Sequence, residues 1–184
     1  MKINQKTSQK EFIILGLLQE GPAHGYDLEA KIKDRGIRNW TAIGFSSIYH
    51  LLKKLEGARF IDHEQRIVNG KAQQVFHLTD TGHAELNRLI ETALTRTRGN
   101  RGDFSVAISN TVDWSANKIQ GLLRQRIANL EEDYSNLQMA RAEKLRTGMP
   151  HLPAIMILFD KPLAQIRAEI DFFNQYIDKF NRAE

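Results

Sequence analysis

Ser46-Ser47-Ile48-Tyr49-His50-Leu51-Leu52-Lys53-Lys54-Leu55-Glu56 decides how the rest of the chain is read. At about 100° per residue, Ile48, Leu51, Leu52 and Leu55 fall on one side, the i, i+3, i+4, i+7 stripe of a helix with one face in a core. The other side carries Ser46, Ser47, His50, Lys53 and Lys54, with Tyr49 on its flank. Two hydroxyls, an imidazole, a phenol and two ammonium groups make a donor-rich face with no carboxylate, because Glu56 lies beside the apolar stripe at the helix's end. That face suits a polyanion with base edges to read. A merely solvated helix surface is the alternative, and the neighbouring elements weigh between the two.

Towards the N-terminus, Ser8-Gln9-Lys10-Glu11 has the spacing of a capping box. It opens a helix, Phe12 to Leu18, that is apolar nearly all round and expected to be buried. Gly21-Pro22 ends it. A second helix begins at His24-Gly25-Tyr26, with Tyr26, Leu28 and Ile32 as its apolar contacts and His24 as a capping residue. Arg35 to Gly44 reads as a loop holding Trp40.

Towards the C-terminus, Gly57 is the expected helix stop. Phe60 to Val68 and Gln73 to Leu78 read as strands on either side of Asn69-Gly70, a hairpin turn signal. Thr79 or Asp80 caps a further helix with Leu86, Leu89, Ile90, Ala93 and Leu94 inward. Three helices, a hairpin and a fourth helix form a winged helix-turn-helix, and in that arrangement the third helix is the one that enters the major groove. Thr95 to Asp103, polar, basic and glycine-bearing, marks a boundary, so the domains are expected at 1–98 and 99–184.

The second half is helical. Leu123, Ile127, Leu130, Tyr134 and Leu137 alternate four and three within a polar helix from about Ser115 to Arg146. After Gly148, Pro150 and Pro153, Asp160-Lys161-Pro162 reads as an N-cap with proline in the first turn. Leu163, Ile166, Ile170, Phe173, Ile177 and Phe180 then keep a/d spacing, the pattern of a coiled-coil seam. The last five are the expected dimerisation residues. Covering the first domain's core is the other reading of the seam. The fold class is therefore mainly α, a winged helix-turn-helix followed by an antiparallel helical domain.

Composition narrows the function. With 184 residues and 41% apolar content the chain can bury a core in one domain plus an appendage. No cysteine is present, so thiolate catalysis and cysteine zinc sites are excluded. The histidines (24, 50, 63, 77, 83, 151) show no i, i+4 pair, and neither a Gly-x-x-x-x-Gly-Lys loop nor a Gly-x-Ser-x-Gly elbow occurs. No enzyme, metal or cofactor is expected. No apolar run approaches the roughly 18 residues of a membrane span and no signal peptide opens the chain, so a cytoplasmic protein is expected. The net charge of +4 lies wholly in the first hundred residues, on the side of the candidate recognition helix.

At His24-Gly25-Tyr26, Ser47-Ile48-Tyr49, Leu52-Lys53-Lys54-Leu55-Glu56 and Leu78-Thr79-Asp80-Thr81-Gly82, the chain resembles the PadR family of bacterial transcriptional regulators over about residues 10–95. The resemblance implies a cytoplasmic homodimer binding a palindromic operator in double-stranded DNA, most often as a repressor, released by a small hydrophobic or aromatic effector. It carries Ser47 and Tyr49 over as phosphate or base contacts and Lys53 and Lys54 as backbone contacts. Ser46 and His50 add donors on the same face, and the wing offers Arg66 and Lys71. The family often has Gly at the position of Ser46 and a wing richer in Arg and Lys, so fewer wing contacts to phosphate are expected. Trp40 and Trp114 are the candidates for stacking on an effector, packing within the protein being the other reading. A winged helix that docks proteins without binding DNA is the alternative function.

Overall fold

The structure is a computed structural model that describes residues 7–39, 41–68, 71–98, 101–146 and 152–182. At the centre of the N-terminal unit lies α1 (Gln9–Gln19), opened by the Ser8–Glu11 capping box and buried from Glu11 to Leu18. Because this helix is apolar on every side, it needs neighbours on every side, and α2, α3, β2 and α5 supply them. α2 (Gly25–Asp34) starts on His24, whose Nδ1 accepts from the Asp27 amide at 3.1 Å while the Asp27 carboxylate accepts from the His24 amide at 3.3 Å. The segment after it contains a short 3-10 turn, Ile37–Asn39, before α3 (Phe45–Gly57).

α3 ends at Gly57, but this glycine is not its cap. Ala58 is its C-cap, and the left-handed residue that turns the chain is Arg59, at φ 61°. Thr79 and Thr81 hold this turn, their hydroxyls donating to the Arg59 carbonyl at 2.7 and 2.6 Å. The wing follows as β1 (Ile61–Val68) and β2 (Lys71–Leu78), antiparallel with Ile61 opposite Leu78 and Val68 opposite Lys71. The Asn69-Gly70 turn itself lies outside the described residues. Ala23 pairs with Phe76 through both backbone hydrogen bonds, so the stretch before α2 adds one rung to the wing's return strand.

α4 (Asp80–Thr95) is capped by Thr79, whose hydroxyl accepts from the Gly82 amide at 3.0 Å. A Cβ at Gly82 would lie 1.8 Å from the Phe60 carbonyl oxygen, so only glycine lets α4 start against the wing's root. Leu86, Ile90 and Leu94 are buried; Leu89 and Ala93 are half-buried.

The chain divides into two compact units. The first runs through Ala93 and also takes in α5 (Arg101–Ser109), which packs on α1. Against the expected boundary at residue 98, residues 94–98 cluster with the second unit and α5 with the first. The second unit is a helical hairpin of α6 (Ala116–Arg146) and α7 (Leu152–Arg182). Arg141 pairs with Asp160 near the turn and Arg126 with Glu169 further down, which fixes the two helices as antiparallel.

The expected helix start at Asp160 is overturned: α7 begins at Leu152 and carries Pro162 inside it. A proline there removes the amide that would bond the Leu158 carbonyl, and neighbouring turns keep the helix continuous. Asp160, read as a cap, instead accepts from the Arg141 guanidinium at 2.6 Å.

Candidate nucleic-acid interface

α3 buries Ile48, Leu51, Leu52 and Leu55 as its spacing demands. Ser46, His50 and Lys53 are exposed, Ser47 is half-buried and Tyr49 is partly exposed. No side chain caps the helix: Gly44 occupies the N-cap position, whereas α1 and α2 each begin with a capping box. The start of the helix therefore presents backbone amides beside two serine hydroxyls, a geometry that accepts an anionic oxygen.

Lys54, expected on this face, is drawn the other way. Its ammonium lies 3.0 Å from the carboxylate of Glu11, which is almost wholly buried in the first turn of α1. Burial pushes the Glu11 carboxyl up, but hydrogen bonds from the Ser8 hydroxyl and amide and the Lys54 charge outweigh it and hold the group below its ordinary value. The pair fastens α3 to α1. On the wing, Arg66 is exposed and paired with Glu64, Ile67 beside it is 82% exposed, and Lys71 opens β2.

The aromatic residues depart from expectation. Tyr26 does not pack inward: it is 62% exposed, because it occupies the first turn of α2 at the surface edge where α2 meets α3. Its ring sits 5.7 Å from Phe45 and 6.5 Å from Tyr49, and Phe45 and Tyr49 are 5.8 Å apart, edge to face. A Cβ at Gly25 would meet the Tyr49 ring at 2.8 Å, so the His24-Gly25-Tyr26 glycine makes room for that ring. Burial and the adjoining Tyr26 hydroxyl push the Tyr49 phenol above its ordinary value. Spacing did not single out Phe45. The available signal was an apolar residue just before Ser46, at i, i+3 and i+7 with Ile48 and Leu52, which extends the stripe to the helix's exposed start.

His63 ties the wing to α3. One ring nitrogen contacts Glu56 at the end of α3, the other lies 3.1 Å from the Gln74 amide nitrogen on β2, and the ring packs at a tilt on Phe76, centroids 5.5 Å apart. Glu56, Asp62 and His63 bring one potential ligand atom each within 4.8 Å of one another. Histidine spacing along the chain was blind to this, because helix end and strand meet only in the fold.

Of the effector candidates, Trp40 lies outside the described residues. Trp114 is half-buried with the Lys118 ammonium 3.4 Å from its ring centroid. A cavity of about 260 Å³ opens within the first unit, walled by Ile13, Leu17, Ile37 and Val106 with Arg35 and Asn110. In the hairpin, Ile170, Phe173 and Ile177 are buried against α6 of the same chain, and Ile166 and Phe180 are half-buried. What α7 leaves open is another apolar set: Ile157, Leu158, Phe172 and Tyr176.

Three helices, a two-stranded wing and a donor-bearing third helix define a winged helix-turn-helix protein with a helical C-terminal hairpin. The sequence model of the family described as "Transcriptional regulator PadR-like family" matches residues 14–88, so over that stretch the chain is similar to that family. The negative transcriptional regulator PadR of Bacillus subtilis (strain 168) is 37% identical over 78 residues, which is 42% of this chain and 42% of that protein. The match thus spans less than half of that curated relative. Among solved structures, Bacillus subtilis PadR in complex with operator DNA is 21% identical over 92% of this chain and 97% of that one, with a TM-score of 0.43. A PadR-like transcriptional regulator from Bacillus cereus is 20% identical over 97% of this chain and 99% of that one, with a TM-score of 0.41. Among the described residues, no helix is long and apolar enough to cross a membrane.

Proposed function

We propose that this chain is a DNA-binding transcriptional regulator, a homodimer that represses from a palindromic operator and is released by a small hydrophobic or aromatic effector. The observation that carries the reading is the outward face of α3. Ser46, His50 and Lys53 stand open beside an uncapped helix start, in the helix that this fold presents to the major groove. Ser46, Ser47, Tyr49 and His50 donate to phosphates or base edges, and Lys53 supplies free charge. Lys54 contributes by anchoring α3 through Glu11, and Arg66 and Lys71 supply the wing's contacts. The second copy packs on the apolar residues that α7 leaves open, with Ile170, Phe173 and Ile177 stiffening the hairpin from inside. The likeness to a negative transcriptional regulator over the winged-helix part supports repression, and the cavity beside α1 offers an effector room.

One observation favours a second reading. Ile67 is 82% exposed on a wing whose Arg66 is already paired with Glu64, which suits an apolar protein partner better than phosphate. Fluorescence anisotropy against the DNA upstream of the chain's own gene, across a salt series, separates the two. An operator-binding regulator saturates with preference over scrambled DNA, and its affinity falls steeply as salt rises. No binding at low salt turns the assignment to the interaction module.

A further inference from the structure

Phe45 is the first residue of α3, and 43% of it faces solvent although it is purely apolar. The first turn of the helix that enters the major groove is where side chains reach base edges. Around it, the outward face carries Ser46, Ser47, Tyr49, His50 and Lys53, without the Arg–guanine or Asn/Gln–adenine pairings that read bases through bidentate hydrogen bonds. In the major groove the one bulky apolar group on a base edge is the C5-methyl of thymine. Phe45 is also held still. Tyr26 from α2 and Tyr49 one turn along α3 flank it at 5.7 and 5.8 Å, and these two tyrosines are themselves 6.5 Å apart. Three mutually packed rings, two of them tyrosines whose hydroxyls adjoin, form an apolar tip with polar shoulders.

We propose that Phe45, buttressed by Tyr26 and Tyr49, is a specificity-determining residue that packs against the C5-methyl of a thymine in each operator half-site. This rests on the reading of α3 as the helix that enters DNA.

The test removes the methyl alone. A duplex selected by the full-length protein from a random pool is remade with each thymine replaced singly by deoxyuridine, and affinities are measured for the native chain and for Phe45→Ala. One thymine per half-site should cost the native chain about fourfold when demethylated, the worth of one buried methyl. Phe45→Ala should bind the thymine duplex more weakly and be indifferent to deoxyuridine at that position. The deoxyuridine scan on the native chain stands without the variant, should the variant fail to fold. Indifference of the native chain to every replacement overturns the proposal, and so does a Phe45→Ala chain as sensitive as the native one. If no duplex is retained from the pool at low salt, the DNA-binding reading falls and takes this inference with it, whereas binding without methyl dependence overturns this inference alone.

Discussion

α3 and α7 are both helices whose apolar spacing is plain in the sequence, and both bury that stripe within the chain. They differ in what remains outside. α3 keeps Ser46, His50 and Lys53 open; α7 keeps Ile157, Leu158, Phe172 and Tyr176. Periodicity tells which face leaves water but not against whom, and the seam of α7 illustrates the gap. Its a/d residues read as an interface between chains; within the single chain Ile170, Phe173 and Ile177 are already buried, while Ile166 and Phe180 are half-buried. The residual face carries the information about partners: on α3 it sets cationic and hydroxyl groups beside two exposed rings, and on α7 it adds four apolar side chains to a polar surface.

The strongest way to break this comparison is Phe173→Ala. If the seam is internal, unfolding experiments should show a loss of about 3–5 kcal/mol, the usual cost of emptying a phenylalanine site in a core. A chain that merely turned monomeric at unchanged stability would make the seam intermolecular after all. Leu158→Asp probes the complementary face. Sedimentation should show a weakened dimer, by about 2 kcal/mol or more for a carboxylate placed in an apolar contact, at a nearly unchanged unfolding midpoint. An undiminished dimer mass would remove the residual face of α7 from the interface.

Smaller effects sharpen the distinction between the two lysines of α3. Glu11→Gln should cost about 1 kcal/mol of stability by releasing Lys54 and weakening the capping box. The folded Glu11 carboxyl lies below its ordinary 4.5, so its contribution is whole above that pH and disappears as pH falls through the folded value. Stability measured down an acid series should therefore fall less steeply in the variant; parallel curves would deny the pairing any energetic weight. Lys53→Ala should leave stability alone, weaken all duplexes alike and reduce the salt slope by about one unit. Lys54→Ala should do the reverse, losing stability with little change in slope.

The sequence disclosed whatever depends on local spacing: the Ser8–Glu11 box, the stripe of α3 and two strands around a turn signal. It was silent where distant residues meet. α5, with Gly102 and Asp103 in its first turn, has no clear stripe, and Val106 and Ala107 are buried only because α1 lies beside them. Pro162 resembled a helix start because local rules place proline there, whereas α7 already begins at Leu152 and Asp160, the residue read as its cap, pairs with Arg141 of α6. The Tyr26–Phe45–Tyr49 tip joins two helices. Hydropathy alone sends such rings inward, and Lys54 outward, where the fold does the opposite.

The two hydrogen bonds between Ala23 and Phe76, at 3.0 and 2.9 Å, have a kinetic corollary. They fuse the entry to α2 with the return strand of the wing, so neither amide can open to solvent unless the other does. The Ala23 and Phe76 amides should show one common protection against deuterium exchange, greater than that of the wing's exposed Gln74, and the wing should open as part of the helix-turn-helix rather than as a loose flap.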